Sequence, residues 1–188
     1  MTPDFQSFRN HFLIAMPALV EGLFAHSVTY VCEHSDQGAM GIVINQPMGL
    51  PLRDILDHLD IDDARSHLDD PVMAGGPVQT DRGFVLHRTS EQRWESTIVI
   101  TEEISLTTSR DILNAMAHAQ GPSDTLVALG YAGWGAGQLE DEIASNAWLT
   151  LPADSAIIFE VPVAQRLTAA AAKLGVNMAL ISSSAGHA

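Results

Sequence analysis

The stretch SVTYVCEHSDQGAMGIVINQP, residues 27–47, constrains the fold most. Two β-rich runs, 27–35 and 38–47, are joined by Asp36, Gln37 and Gly38, where the glycine tolerates positive φ. This is a hairpin signature. Side chains alternate faces along a strand, so Cys32 and His34 are expected on one face and Glu33 on the other. That spacing admits a thiolate–imidazole pair, and equally two co-facial neighbours with no shared chemistry.

Other segments show their period as clearly. FLIAMP (12–17) reads as a short buried strand ended by Pro17. Leu52, Ile55, Leu56 and Leu59 form one helical stripe after Pro51. PVM (71–73) suits a short strand, Gly75-Gly76-Pro77 a forced bend, and Asp81-Arg82-Gly83 a turn into the strand GFVLHR. ESTIVIT (95–101) reads as a strand. SLTTSRDILNAMAHAQGP predicts a helix capped by Thr108 or Ser109 and stopped by Gly121-Pro122. TLVALGY predicts a strand, QLEDEIASNAW a short helix, AWLTLP and SAIIFEVP strands, and VAQRLTAAAAKLG a last helix. The tail SSSAGHA is expected to be mobile at its end. Strands outnumber helices and come in clusters, which favours an α+β architecture. The 188 residues fit one domain, 1–188, or two closely joined lobes.

The glycine-rich segment GYAGWGAGQLEDEIASNAW has the strand–loop–helix context of a nucleotide loop, but not its pattern. Gln138 stands where the third glycine of G-x-G-x-x-G belongs, and no Gly-Lys-Ser/Thr occurs. Glu140, Asp141 and Glu142 are expected to fill the helix end and repel phosphate. Two readings remain. Trp134 and Tyr131 anchor a packed turn, or an exposed Trp134 beside carboxylates receives a cationic or peptide-like partner. On the second reading, Trp134→Ala removes an interaction and leaves thermal stability nearly unchanged.

Few motifs carry chemistry. There is no G-x-S-x-G, H-E-x-x-H or C-x-x-C, and no histidines pair at i, i+4. The six aspartates between Asp57 and Asp70 lack the ligand spacing of a calcium loop, so neither metal nor cofactor is expected. Residues 107–110 could bind an anion at a helix start, or simply cap it. Nine Lys and Arg against 23 Asp and Glu leave a net charge of −14, which disfavours direct nucleic-acid binding. A single cysteine forbids an intrachain disulfide and suggests a reducing compartment. With neither a leader-like start nor a long apolar run, the expected location is the cytoplasm, off the membrane.

NHFLIAMP, CEHSDQGAMGIVINQP, GGPVQTDRGFVLHR, SLTTSRDIL, GYAGWGAGQLEDEIASNAWL and SSSAGHA occur in that order. Together they closely resemble the bacterial AlgH/YqgE family, nearly from end to end. The resemblance implies a cytosolic protein whose branched β-sheet curls into a partial barrel with helices packed outside. The family's transcriptional-regulator label derives from a genetic link to alginate control. No biochemical activity is settled for it, so no catalytic residues transfer. Gly76, Arg82, Arg110, Trp134, Gln138, Glu140 and Asn146 transfer as family landmarks, and those after Gly76 form the candidate binding surface. The leading expectation is a non-enzymatic binding or regulatory module acting through an unidentified protein or small ligand. The alternative is an enzyme on a small polar substrate, with Glu140, Asp141 or Glu142 as acid–base groups and Arg82 or Arg110 as an anion clamp.

Overall fold

A computed structural model describes residues 4–17, 22–62 and 69–178. The serine-rich tail and Asp63 of the acidic segment lie outside the described residues. In chain order the elements are β1 (His11–Ala15), β2 (Val28–Ser35), β3 (Gly38–Val43), β4 (Pro47–Pro51) and α1 (Leu52–His58). Then come β5 (Pro71–Ala74), β6 (Val78–Arg88), β7 (Thr97–Val99), β8 (Ile104–Thr107) and α2 (Arg110–Ala117). The last are β9 (Thr125–Gly135), α3 (Gln138–Ala144), β10 (Trp148–Pro152), α4 (Ser155–Phe159), a 3-10 turn at Val163–Gln165, and α5 (Arg166–Lys173).

The predicted hairpin is β2–β3, antiparallel, with Gly38 at φ 136° after the tip. It sits inside a sheet of order β10-β1-β2-β3-β9-β6-β8-β7. The sheet branches at β9. The later half of β9 pairs with β3, while its earlier half pairs with β6 and, in parallel, with β5, which carries β4. The branch point needs backbones closer than a side chain permits. A Cβ on Gly76 would lie 2.0 Å from the Tyr131 carbonyl carbon, and one on Gly130 would lie 2.3 Å from the Gly76 oxygen. Glycine is therefore an architectural requirement here.

Alternation along the strands sorts side chains onto two faces. Phe12, Tyr30, Leu86 and Leu126 point into the largest buried cluster, to which α4 and α5 add Ile157, Ile158, Ala170 and Ala171. Their neighbours face outward. Leu13, Val31 and Ala132 pack under α3, and Val85 and Val127 under α1 and α2. The sheet curls on itself: Arg9, just before β1, donates through Nη2 to the Val99 carbonyl on β7 at 2.9 Å. The result is an α+β protein with a branched sheet curled into a partial barrel.

Five local expectations change, the first being that Asp81-Arg82-Gly83, expected as a turn, lies within β6. SAIIF is helical, not a strand, because the Asp154 carboxylate caps it by accepting from the Ala156 N–H at 2.9 Å. The strand read over 95–101 shortens to β7. SLT belongs to β8, and the helix starts at Arg110 behind Ser109, whose hydroxyl donates to Asp111 rather than capping the backbone. The supposed loop AGWGAG is mostly strand, since β9 continues to Gly135 and leaves only Ala136 and Gly137 as the turn.

Candidate functional site

The continuation of β9 decides the fate of Trp134. Pairing with Ala39 of β3 places its side chain on the outer face under α3, where it is 7% exposed. It is not the exposed anchor that the second reading required. Its Nε1 donates to Glu142 Oε2 at 2.8 Å, and Trp148 Nε1 of β10 donates to the same oxygen at 2.8 Å. Gln138 Nε2 donates to Glu142 Oε1 at 3.0 Å, while Gln138 Oε1 accepts the Gly135 N–H at 3.0 Å. The two indoles meet edge to face at 6.1 Å. One carboxylate thus fastens α3 to two strands.

Glu140 serves a second fastening. Phe8 N–H donates to His34 Nδ1 at 2.8 Å, which fixes the proton on Nε2, and Nε2 donates to Glu140 Oε1 at 2.8 Å. Phe8 stacks on the imidazole with centroids 5.6 Å apart. The acidic run therefore does not cap α3 with its side chains; Gly137, at φ 77°, is the cap residue. Cys32 takes no part. A β-bulge between Val31 and Glu33 turns His34 to the outer face while Cys32 stays in the inner cluster. Burial pushes the Cys32 thiol pKa well up, the opposite of an activated thiolate. The thiolate–imidazole pair does not form.

The other landmarks lie apart from this corner or at its edge. Asn146, at φ 61°, is the left-handed residue that ends α3, and its N–H donates to the Ile143 carbonyl at 3.0 Å. Arg82 belongs to an irregular excursion of β6, where pairing with β9 jumps from Val78 to Gly83. Its guanidinium lies 5.3 Å from the Phe84 ring centroid and donates to Gln79 Oε1 at 3.2 Å. Arg110 reaches from the start of α2 to the Leu59 carbonyl beyond α1.

Arg110 also borders a cavity of about 320 Å³ between α1, α2 and the outer sheet face. Ile55, Leu59, Val85, Leu113, Val127 and Leu129 form its apolar wall. Asp81 and Arg110 bring polar groups to it, and Thr107 stands in its wall. Behind Thr107 lies His87, 1% exposed. His87 Nδ1 faces the Arg88 carbonyl at 3.0 Å and must donate there, so Nε2 accepts the Thr107 hydroxyl at 2.8 Å. Burial lowers the His87 pKa, in keeping with a neutral ring. Thr107 is itself fully buried, so this pair orders the wall and presents no nucleophile to solvent. Sequence reading found the α1 stripe but not the cavity. Leu52 and Leu56 of that stripe go to the core, while Ile55 and Leu59 line the hollow. Among the described residues, no group of three His, Cys, Asp or Glu side chains could hold a metal ion, and no helix is long and apolar enough to cross a membrane.

A branched sheet in a partial barrel, with one helix fastened outside it and a hollow under two others, defines the structural class. Residues 12–179 match the family described as AlgH-like, and the chain belongs to that family. A UPF0301 protein of Thioalkalivibrio sulfidiphilus is 61% identical over 182 residues, spanning 97% of each chain. The solution structure of the AlgH protein from Pseudomonas aeruginosa shares 50% identity and a TM-score of 0.79, over 100% of this chain and 98% of that one. A crystal structure of a Corynebacterium diphtheriae protein, at 17% identity, shares the fold with a TM-score of 0.74 over 95% and 93% of the two chains.

Proposed function

We propose that this chain is a cytoplasmic, non-enzymatic binding module whose small amphipathic ligand seats in the cavity between α1 and α2 and whose occupancy regulates a protein partner. The observation that carries this reading is the cavity itself: a concave, mainly apolar wall with a few polar groups, Arg110 and Asp81 among them. The net charge of −14 supports a partner other than nucleic acid. The enzyme alternative draws less support, because Glu140 and Glu142 are already hydrogen-bonded within the fold.

Gly83 supplies the test. It lines the cavity, and a Cβ added there meets nothing within 4 Å, so Gly83→Leu fills the hollow without a backbone clash. A thermal-shift screen of small amphipathic metabolites is expected to yield a compound that raises the melting temperature of the wild type and leaves Gly83→Leu unmoved. An equal shift in both proteins would remove the cavity from consideration. Chemical conversion of the bound compound would favour the enzyme.

A further inference from the structure

Arg166, the first residue of α5, is 8% exposed. Its Nε donates to the Val161 carbonyl at 3.0 Å and its Nη1 to the Ile44 carbonyl at 2.5 Å. Among the described residues it has no carboxylate partner, and Nη2 has no acceptor. Arg88 shows what compensation looks like in this fold: it pairs with Asp124 at 3.1 Å and Glu160 at 3.3 Å. A buried charge is ordinarily paired, because desolvation is costly and two carbonyl dipoles do not replace a counter-ion. Burial draws the Arg166 pKa down only to about 10, so it remains a cation at neutral pH.

Arg166 lines a second cavity, of about 260 Å³, beside α4 and the start of β9. Met73, Leu126, Val127, Phe159 and Pro162 supply apolar surface to it. Glu160 also stands at this cavity, and its carboxylate pairs with Arg88 rather than Arg166. We propose that this cavity is a binding site for a small monocarboxylate with a short alkyl chain, its carboxylate held by Arg166. One cation matches one negative charge. The Glu160 carboxylate is engaged by Arg88, and the apolar surface takes the alkyl group. This site shares only Val127 with the cavity under α1 and α2 and does not depend on it.

The test is an amide-resonance titration of the full chain at neutral pH with isocaproate, its neutral analogue isohexanol, and inorganic phosphate. Isocaproate is expected to give saturable shifts confined to residues 125–127 and 161–166, and Arg166→Gln to weaken half-saturation by at least about tenfold. Because Arg166 also ties Val161 to Ile44, Val163→Phe is the second variant. It keeps the guanidinium, narrows the cavity, and is expected to weaken isocaproate as well. The proposal is overturned if isohexanol or phosphate titrates the same amides as tightly, or if the isocaproate shifts map elsewhere or fail to saturate. Unchanged binding in folded Arg166→Gln overturns it too. If that variant does not fold, unchanged binding in Val163→Phe does so in its place.

Discussion

The corner under α3 and the hollow under α1 and α2 rest on the same sheet, yet they treat polar groups in opposite ways. Under α3, both Glu142 oxygens receive donors and Glu140 receives His34, so little interaction capacity is left over. Under α1 and α2, apolar side chains stop short of filling the space, and the polar groups gather around it. The most recognisable segment of the sequence is therefore a fastener, and the concave surface is made by scattered residues of no special appearance.

The largest expected effect tests the fastener. Trp134→Ala should cost about 3–5 kcal/mol, the range for truncating a buried aromatic, measured by urea unfolding. An unchanged midpoint would return Trp134 to the role of a surface anchor and erase the contrast. Next, Glu142→Ala leaves two indole N–H groups without an acceptor and should cost about 2–4 kcal/mol. Glu142→Gln should recover much of that loss, because one amide oxygen can still accept from both. On the other side, Gly83→Leu should stay within about 1 kcal/mol of the wild type, since the space is open. A loss as large as that of Trp134→Ala would mean the hollow is structural in the same sense as the corner.

The least abrupt effect is spread over pH. Burial lowers the folded-state pKa of His87 from 6.5, so below that value the unfolded chain binds more protons than the folded one. The associated stability is complete above about pH 6.5 and declines as pH falls toward the folded pKa. His87→Gln should flatten this acid-side decline in unfolding free energies measured across the range. A slope identical to the wild type would show that other groups dominate it.

Much of this was legible in the chain. The β2–β3 hairpin and the α1 stripe rest on local chemistry, and local chemistry is what a sequence displays. Helix α2 instead ends at Ala117, with Ala119 left-handed at φ 57°, before the Gly121-Pro122 expected to stop it. The misreadings share another cause. The bulge at Cys32 moves His34 by one face, a register change that has no signature in the residues themselves. AIIF is apolar enough for a strand, and only the cap from Asp154 makes it a helix. The glycines around Trp134 suggested a loop because glycine usually marks one, whereas here pairing with β3 holds them extended. The partners of Trp134 and of Arg166 were invisible for a plainer reason: tertiary approach alone brings Trp148 to Glu142, or Ile44 to Arg166.

The branching of β9 also sets an order of events in synthesis. β3, β5 and β6 all pair with a strand that begins only at Thr125, and β1 waits for β10, which begins at Trp148. A nascent chain that has delivered everything through α2 carries those edges unpaired, with the inner faces of β1, β2 and β6 still uncovered. Such a fragment has the features of an aggregation-prone intermediate, and the central strand arrives late to resolve it. The glycines that let three strands meet at β9 thus make the last third of the chain the keystone of the first two.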